Sequence, residues 1–247
     1  MLSKSIMDIL NKKVIESYDI EKFNFNDIFL KYFEKYKVKK IENFHNDVPQ
    51  ELLPNQVVTV ENDQDHDVYK FLYKIDEGFD LKNNSKASNF LKIYNDFVYF
   101  IAKNIFKESL IFQKRPTLRI MFPNNMAVGG FHRDREYNHP LEEINIWVPI
   151  TPASKTNTIW LESSFDKNDY QPANLEYGQF LIFDSGLKHG NKINLENKTR
   201  LSFDFRVIPL SKWNPPKSNK ISKSLNQNLK FSLGDYYEFV DLKSEFK

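Results

Sequence analysis

Phe131-His132-Arg133-Asp134 places an imidazole and a carboxylate two residues apart. On an extended segment that spacing sends both side chains to the same side. A second imidazole, His189, follows Asp184-Ser185-Gly186, just after a predicted strand. Two imidazoles and one carboxylate on one face of an ion make the facial triad used for non-haem iron(II). Such a triad leaves positions open for a chelating co-substrate and dioxygen. The H-x-D pair alone is a weak signal, because such spacings arise by chance and a His before a turn more often serves structure.

A second pattern adds to it. Arg200-Leu201-Ser202-Phe203-Asp204-Phe205-Arg206-Val207 alternates polar and apolar residues. The alternation predicts a strand with Arg200, Ser202, Asp204 and Arg206 on one face and four apolar residues on the other. Those four polar residues can simply form a solvated strand surface. They can also serve a co-substrate: 2-oxoglutarate bound to iron through its keto acid end extends a distal carboxylate that needs a fixed cation and a hydroxyl donor. A guanidinium meets a carboxylate with two parallel hydrogen bonds, which an ammonium group cannot do.

Composition narrows the chemistry further. None of the 247 residues is cysteine, so disulfides, thiolate nucleophiles and iron–sulfur ligation are excluded and a metal must be held by His and carboxylate. The 35 basic and 33 acidic residues nearly cancel, a balance that does not announce a nucleic-acid binder. With 22 Phe and 12 Tyr the chain has ample material for a core. No apolar run reaches the roughly 18 residues of a membrane span, and the start lacks a secretory h-region. A soluble, cytoplasmic protein is expected.

The elements that must position these groups fall in two parts. Residues 4–17 carry Ile6, Ile9, Leu10 and Val14 at helical spacing, and Asn26 is a cap candidate for a helix with Ile28, Phe29, Tyr32 and Phe33. A short helix with Val68, Phe71, Leu72 and Ile75 is expected after Asp65 or Asp67. The strongest helix, 88–106, shows a broad face of Phe90, Leu91, Tyr94, Phe97, Val98, Ile101 and Ile105, expected to pack outside a sheet. From Thr117 onward strands are predicted at 117–122, 144–148, 158–161, 179–183 and 200–207, the signature of an antiparallel sandwich or barrel. The tail after Leu210 is expected at the surface, with Gly234-Asp235-Tyr236-Tyr237 docking back.

The chain resembles the 2-oxoglutarate/iron(II) oxygenase superfamily in His132-x-Asp134, His189, and Arg200-x-Ser202 beginning eleven residues later. Within its phytanoyl-hydroxylase-like branch, it is similar to oxygenases of the streptomycin-biosynthesis and sporadic carbohydrate-cluster type. That likeness rests on Gln113-Lys114-Arg115-Pro116-Thr117-Leu118-Arg119, on Glu143 to Thr151, on His189-Gly190-Asn191 with Asn194, and on Thr199 to Val207. The resemblance covers about 88–213 and implies a mainly β fold with flanking helices. Its core would be a double-stranded β-helix (a cupin-like jelly roll) at 116–210. A helical N-terminal region at 1–110 would pack on that core, with a C-terminal extension at 211–247, all in a single domain, 1–247.

By the same resemblance His132, Asp134 and His189 are the iron(II) ligands and the catalytic centre. Arg200 and Ser202 hold 2-oxoglutarate, dioxygen is the oxidant, and succinate and carbon dioxide are released. Asp134 favours hydroxylation or another oxidation over halogenation, since related halogenases carry a small residue there. The implied substrate is a small polar metabolite, such as a carbohydrate. Nothing in the sequence indicates a membrane or nucleic-acid partner or sets an oligomeric state.

Further candidates have plain structural alternatives. Asn145 is a donor candidate for the co-substrate, and Trp147 either walls the site or fills the core. Arg119, Arg133, Arg135, Tyr137, His139 and Asn191 are candidates for substrate, against surface, loop or turn roles, and Arg206 is a candidate for substrate or for support of the site. The distance of Arg206 from His189 also occurs for the co-substrate arginine of nucleobase demethylases, so Arg200 and Arg206 compete for the anchor. His66 falls in a charged stretch that reads as a helix start. Three other functions stay open: a cupin-like metalloenzyme that ignores 2-oxoglutarate, a nucleobase demethylase, and a non-catalytic jelly-roll binding module.

Overall fold

The computed structural model describes residues 13–55, 57, 85–127, 130–214 and 230–243. The architecture is mainly β, with two antiparallel sheets and few helices. In chain order the strands are β1 (Val14–Ser17), β2 (Leu110–Gln113), β3 (Thr117–Met121), β4 (Ile144–Pro149), β5 (Ile159–Leu161), β6 (Gln171–Pro172), β7 (Gln179–Asp184), β8 (His189–Asn191), β9 (Arg200–Pro209) and β10 (Tyr237–Val240). The larger, seven-stranded sheet runs β1-β7-β4-β9-β2-β10, with β3 also paired to β9; the smaller runs β6-β5-β8.

β9 organises the large sheet. One of its edges pairs with β4, from Ser202 to Val207. Its other edge is shared: β3 takes Arg200 to Asp204 and β2 takes Val207 to Pro209. Between β2 and β3 lies Pro116, which cannot donate to a ladder. The outward residues Leu201, Phe203, Phe205 and Val207 are buried under helices. Those helices are α1 (Phe25–Tyr32) and α3 (Ser85–Ile101); a short α2 (Phe44–Asp47) lies between them in the chain. Aromatic rings interlock across this interface: Phe25 and Phe90 meet Phe203 at 4.9 and 5.7 Å, and Tyr94 meets Phe205 at 5.1 Å. The aromatic stripe of α3 thus packs outside the sheet, as expected.

The other face of the sheet meets the smaller one. Trp147, Leu181 and Phe183 cluster there with Ile159 and Leu161 of β5 and with Ala173, Leu175 and Leu187. Register sets what else lies on that inner face. Asn145 is opposite Arg206, Trp147 opposite Asp204, and Arg119 opposite Ser202. Arg200, Ser202 and Arg206 are buried, so the polar side of β9 is not a solvated face.

Two N-terminal expectations are corrected. Val14–Ser17 is not the end of a helix; it is an edge strand paired with Gln179 to Ile182. The β-branched Val14 and Ile15 suit a strand, and an open edge of β7 satisfies their backbone groups. The N-cap of α1 is Asn24, whose side chain accepts from the Asp27 amide at 3.1 Å and donates to its carboxylate at 2.9 Å. Asn26 lies inside the helix and donates to the Ile150 carbonyl at 3.4 Å. The expected helices at 4–12 and after Asp65, with His66, lie outside the described residues. At the other end, β10 pairs with β2, and Tyr237 is buried beside Phe231, so this stretch does dock back.

Candidate metal centre

The segment carrying His132 and Asp134 is pinned to the segment carrying His189. His132 and His189 form an antiparallel bridge, each amide donating to the other's carbonyl at 2.9 Å. The Asp134 amide donates to the Ser185 carbonyl at 3.2 Å. Asp134 opens a 3-10 turn (Asp134–Tyr137) rather than continuing a strand, yet its carboxylate still joins the two imidazoles. Gly190 permits the close approach. A Cβ there would lie 2.8 Å from the Cα and N of Phe131.

Ligand atoms of His132, Asp134 and His189 lie within 4.8 Å of one another. Asp134 Oδ1 is 3.5 Å from His132 Nε2 and 3.6 Å from His189 Nε2. His132 Nδ1 is 2.7 Å from the Gly130 carbonyl, and His189 Nδ1 is 2.9 Å from the Leu187 carbonyl. A carbonyl can only accept, so each Nδ1 carries the hydrogen and each neutral ring turns its Nε2 lone pair inward. Three electron-pair donors then face one another with no donor hydrogen between them, an arrangement that a bound cation satisfies. The donor set therefore fits a divalent metal with nitrogen and oxygen preferences.

Electrostatics around the triad are uneven. Burial depresses His189 to about 4, outweighing the charge of Asp134. Burial also disfavours a charged His132, but Asp134, whose carboxylate would accept from the protonated ring and attracts its charge, and the Gly130 carbonyl hold it above its ordinary value. Burial would raise Asp134; Arg206, then His132 and His189, keep its carboxyl well below the usual range. A proton and a metal ion compete for His132 Nε2, while His189 stays neutral. Metal uptake should therefore weaken as pH falls, seen as a loss of Co(II) affinity when a titration at about pH 8 is repeated at about pH 5.5.

A cavity beside the triad is lined by His132, His189, Asn145, Trp147, Asn191 and Arg200, together with Arg119, Asp204 and Arg206. The buried Arg200 donates from Nη1 to Asn191 Oδ1 at 3.0 Å and to the Asn157 carbonyl at 3.3 Å. Its guanidinium lies 5.6 Å from the Trp147 ring. Ser202 Oγ is buried with no hydrogen-bond partner among the described residues. Arg206 is turned to the ligand carboxylate, with Nε 3.1 Å from Asp134 Oδ2. The Asn145 amide nitrogen donates to the same oxygen at 2.9 Å.

Other candidates stand apart. Arg133 is locked between the Gly186 carbonyl, the buried Glu162 and Asp166, at 3.0, 3.1 and 2.8 Å. Arg135 pairs with Asp184 at 2.9 Å. Neither lines the cavity; nor does Tyr137, whose ring meets that of His132 edge-on at 5.5 Å. Glu162 escaped sequence reasoning, and so did the pairing of His139 with Glu143. Buried Glu143 accepts from Tyr237 and lies 2.7 Å from His139 Nδ1, tying β10 to the back of the site. A second hollow, by Asn24, Asn26 and Tyr177, contains no imidazole and no guanidinium.

Comparison with known proteins adds a relative. Over 134 residues the chain is 37% identical to the streptomycin biosynthesis protein StrG of Streptomyces griseus. That is the type of protein the motifs resemble. The match takes in 54% of this chain and 62% of StrG, so it spans less than two thirds of that relative. No family model matches. Similar solved structures include AviO1 from Streptomyces viridochromogenes Tue57, at 13% identity and a TM-score of 0.47, over 87% of this chain and 98% of that one. CytC3 with Fe(II) and alpha-ketoglutarate is similar at 12% identity and a TM-score of 0.47, over 84% and 76%. No helix of the described residues is long and apolar enough to cross a membrane.

Proposed function

We propose that this protein is a 2-oxoglutarate- and iron(II)-dependent dioxygenase that hydroxylates a small polar metabolite, its two sheets forming a double-stranded β-helix. One observation carries the reading: His132 and His189 of the triad line the same cavity as the buried Arg200. A metal site alone fits many enzymes; a buried guanidinium lining the cavity beside it, with an unpartnered buried hydroxyl two residues along the same strand, suits a dicarboxylate.

With His132, Asp134 and His189 as its ligands, iron(II) would supply the activation of dioxygen, coupled to oxidative decarboxylation of 2-oxoglutarate to succinate and carbon dioxide. The chain's own residues do the positioning. His132, Asp134 and His189 would hold the ion with one atom each, atoms that already face one another. Arg200 receives the distal carboxylate with Ser202 Oγ donating beside it, while Asn191, Asn157 and the Trp147 ring keep the guanidinium in place. Trp147 and Phe183 wall the cavity and limit water near the reacting centre. The presence of Asp134, rather than a small residue, supports hydroxylation over halogenation. The name of StrG, a streptomycin biosynthesis protein, supports a small metabolite over a macromolecule.

Arg200→Lys tests the co-substrate assignment. It keeps the charge and loses the planar fork, so 2-oxoglutarate affinity of the iron(II) protein should fall about tenfold or more. An unchanged affinity would show that the anchor lies elsewhere. A screen of sugars and aminocyclitols for substrate-dependent succinate release tests the substrate class; turnover with none of them, but with methylated oligonucleotide, would point to a nucleobase demethylase instead.

A further inference from the structure

We propose that Arg206 and Asn145 are positioning residues that restrict Asp134 to single-oxygen ligation, an inference that rests on the metal-centre reading of the triad. The two carboxylate oxygens of Asp134 have separate environments. Oδ1 is the atom that faces both imidazole nitrogens. Oδ2 accepts from Arg206 Nε at 3.1 Å and from Asn145 Nδ2 at 2.9 Å. These two donors are cross-strand partners on β4 and β9, so the sheet itself fixes their separation.

Arg206 is not free to follow the carboxylate. Its Nη1 donates to Asp204 Oδ2 at 2.7 Å and to Gln113 Oε1 at 3.3 Å. The Gln113 amide is oriented in turn, because its Nε2 donates to the Arg115 carbonyl at 2.6 Å. Asp204 has its other oxygen 3.5 Å from Arg119 Nε, which completes an alternating row: Asp134, Arg206, Asp204, Arg119. Turning Asp134 to offer both oxygens to an ion would leave the Arg206 Nε–H and the Asn145 amide N–H without an acceptor in a buried place, where unpaired donors are costly.

The consequence is a count of coordination positions. With one atom each from His132, Asp134 and His189, three of six positions on the ion stay open, enough for a chelating keto acid and dioxygen. A two-oxygen Asp134 would leave two, and a keto acid would fill both. Arg206 and Asn145 thus protect the third open position without touching any ligand of the ion other than Asp134.

Cobalt(II) reports this without turnover. Co(II) affinity and the Co(II) d–d absorption spectrum would be measured for the wild-type protein and for Arg206→Gln, Arg206→Lys, Asn145→Ala and Asn145→Asp, before and after adding 2-oxoglutarate. The expected result is a loss of Co(II) affinity of about tenfold or more in each variant. The spectrum should change in metal-loaded Arg206→Gln and Asn145→Ala, and Arg206→Lys should not rescue it. Should Arg206→Gln fail to fold, the two Asn145 variants carry the test, since they leave the guanidinium on Asp134. Variants that match wild type in affinity and spectrum would overturn the proposal while leaving the metal centre intact. A wild-type protein that takes up no Co(II) would instead overturn the metal-centre reading on which it rests.

Discussion

His189→Ala is expected to abolish stoichiometric iron(II) uptake while leaving the fold in place. A four-ligand protein site binds its metal with roughly 10–16 kcal/mol, or about 3 kcal/mol per ligand, so removing one should cost on the order of a hundredfold in affinity or more. His189 is the cleanest member of the triad to remove. Its backbone amide and carbonyl hold the bridge to His132 and survive the change. Asp134→Ala would also leave the buried Arg206 Nε–H and Asn145 amide without their acceptor, mixing loss of metal with a stability cost. Iron content after anaerobic loading and desalting is the measurement, paired with the unfolding midpoint of the metal-free protein. Full iron retention in His189→Ala would remove that residue from the centre.

Gly190→Ala should have an effect out of proportion to one methyl group. The added Cβ would lie 2.8 Å from Phe131 Cα and N and 3.0 Å from Gly130 C, and all three are backbone atoms that cannot rotate away. Relief requires the segment carrying His132 to separate from the one carrying His189. Overpacking of this kind costs about 1–3 kcal/mol, and here the displacement also pulls the ligands apart. The expected result is a lower unfolding midpoint together with metal affinity reduced about tenfold or more. Gly130→Ala is the matched control, since a Cβ there meets nothing within 4 Å. Equal, small effects of the two substitutions would contradict the close-approach argument.

Local pattern made part of this site legible. The alternation of 200–207 depends only on neighbouring residues, and it correctly separated a polar from an apolar face; that the polar face lies inside and the apolar one under helices is visible only in the fold. The aromatic spacing of 88–106 did the same for α3. Val14–Ser17 misled because the apolar spacing before it is helical, whereas its pairing with β7 depends on residues more than 160 positions away. Asn24 and Asn26 are both acceptable caps, and only the reciprocal bonds with Asp27 distinguish them.

The arginines show the same limit. Arg133 and Arg135 read as a basic loop free to meet substrate, but their partners Glu162 and Asp184 come from segments that no spacing rule connects to them. For Arg206 the sequence allowed co-substrate, substrate or supporting roles. The contact with Asp134 exists only once β9 is laid beside β4. Gly190 stood in the His189-Gly190-Asn191 string with no visible reason for its lack of a side chain; the reason is the backbone of Phe131 crossing it.

Anaerobic titration of 2-oxoglutarate into the iron(II)-loaded protein tests the central claim most directly, because a weak visible charge-transfer band develops only when the keto acid chelates the iron. The account predicts a band that saturates at one equivalent, disappears in His189→Ala and requires more co-substrate in Arg200→Lys. No band in the iron-loaded wild-type protein, or one indifferent to His189→Ala, would contradict it.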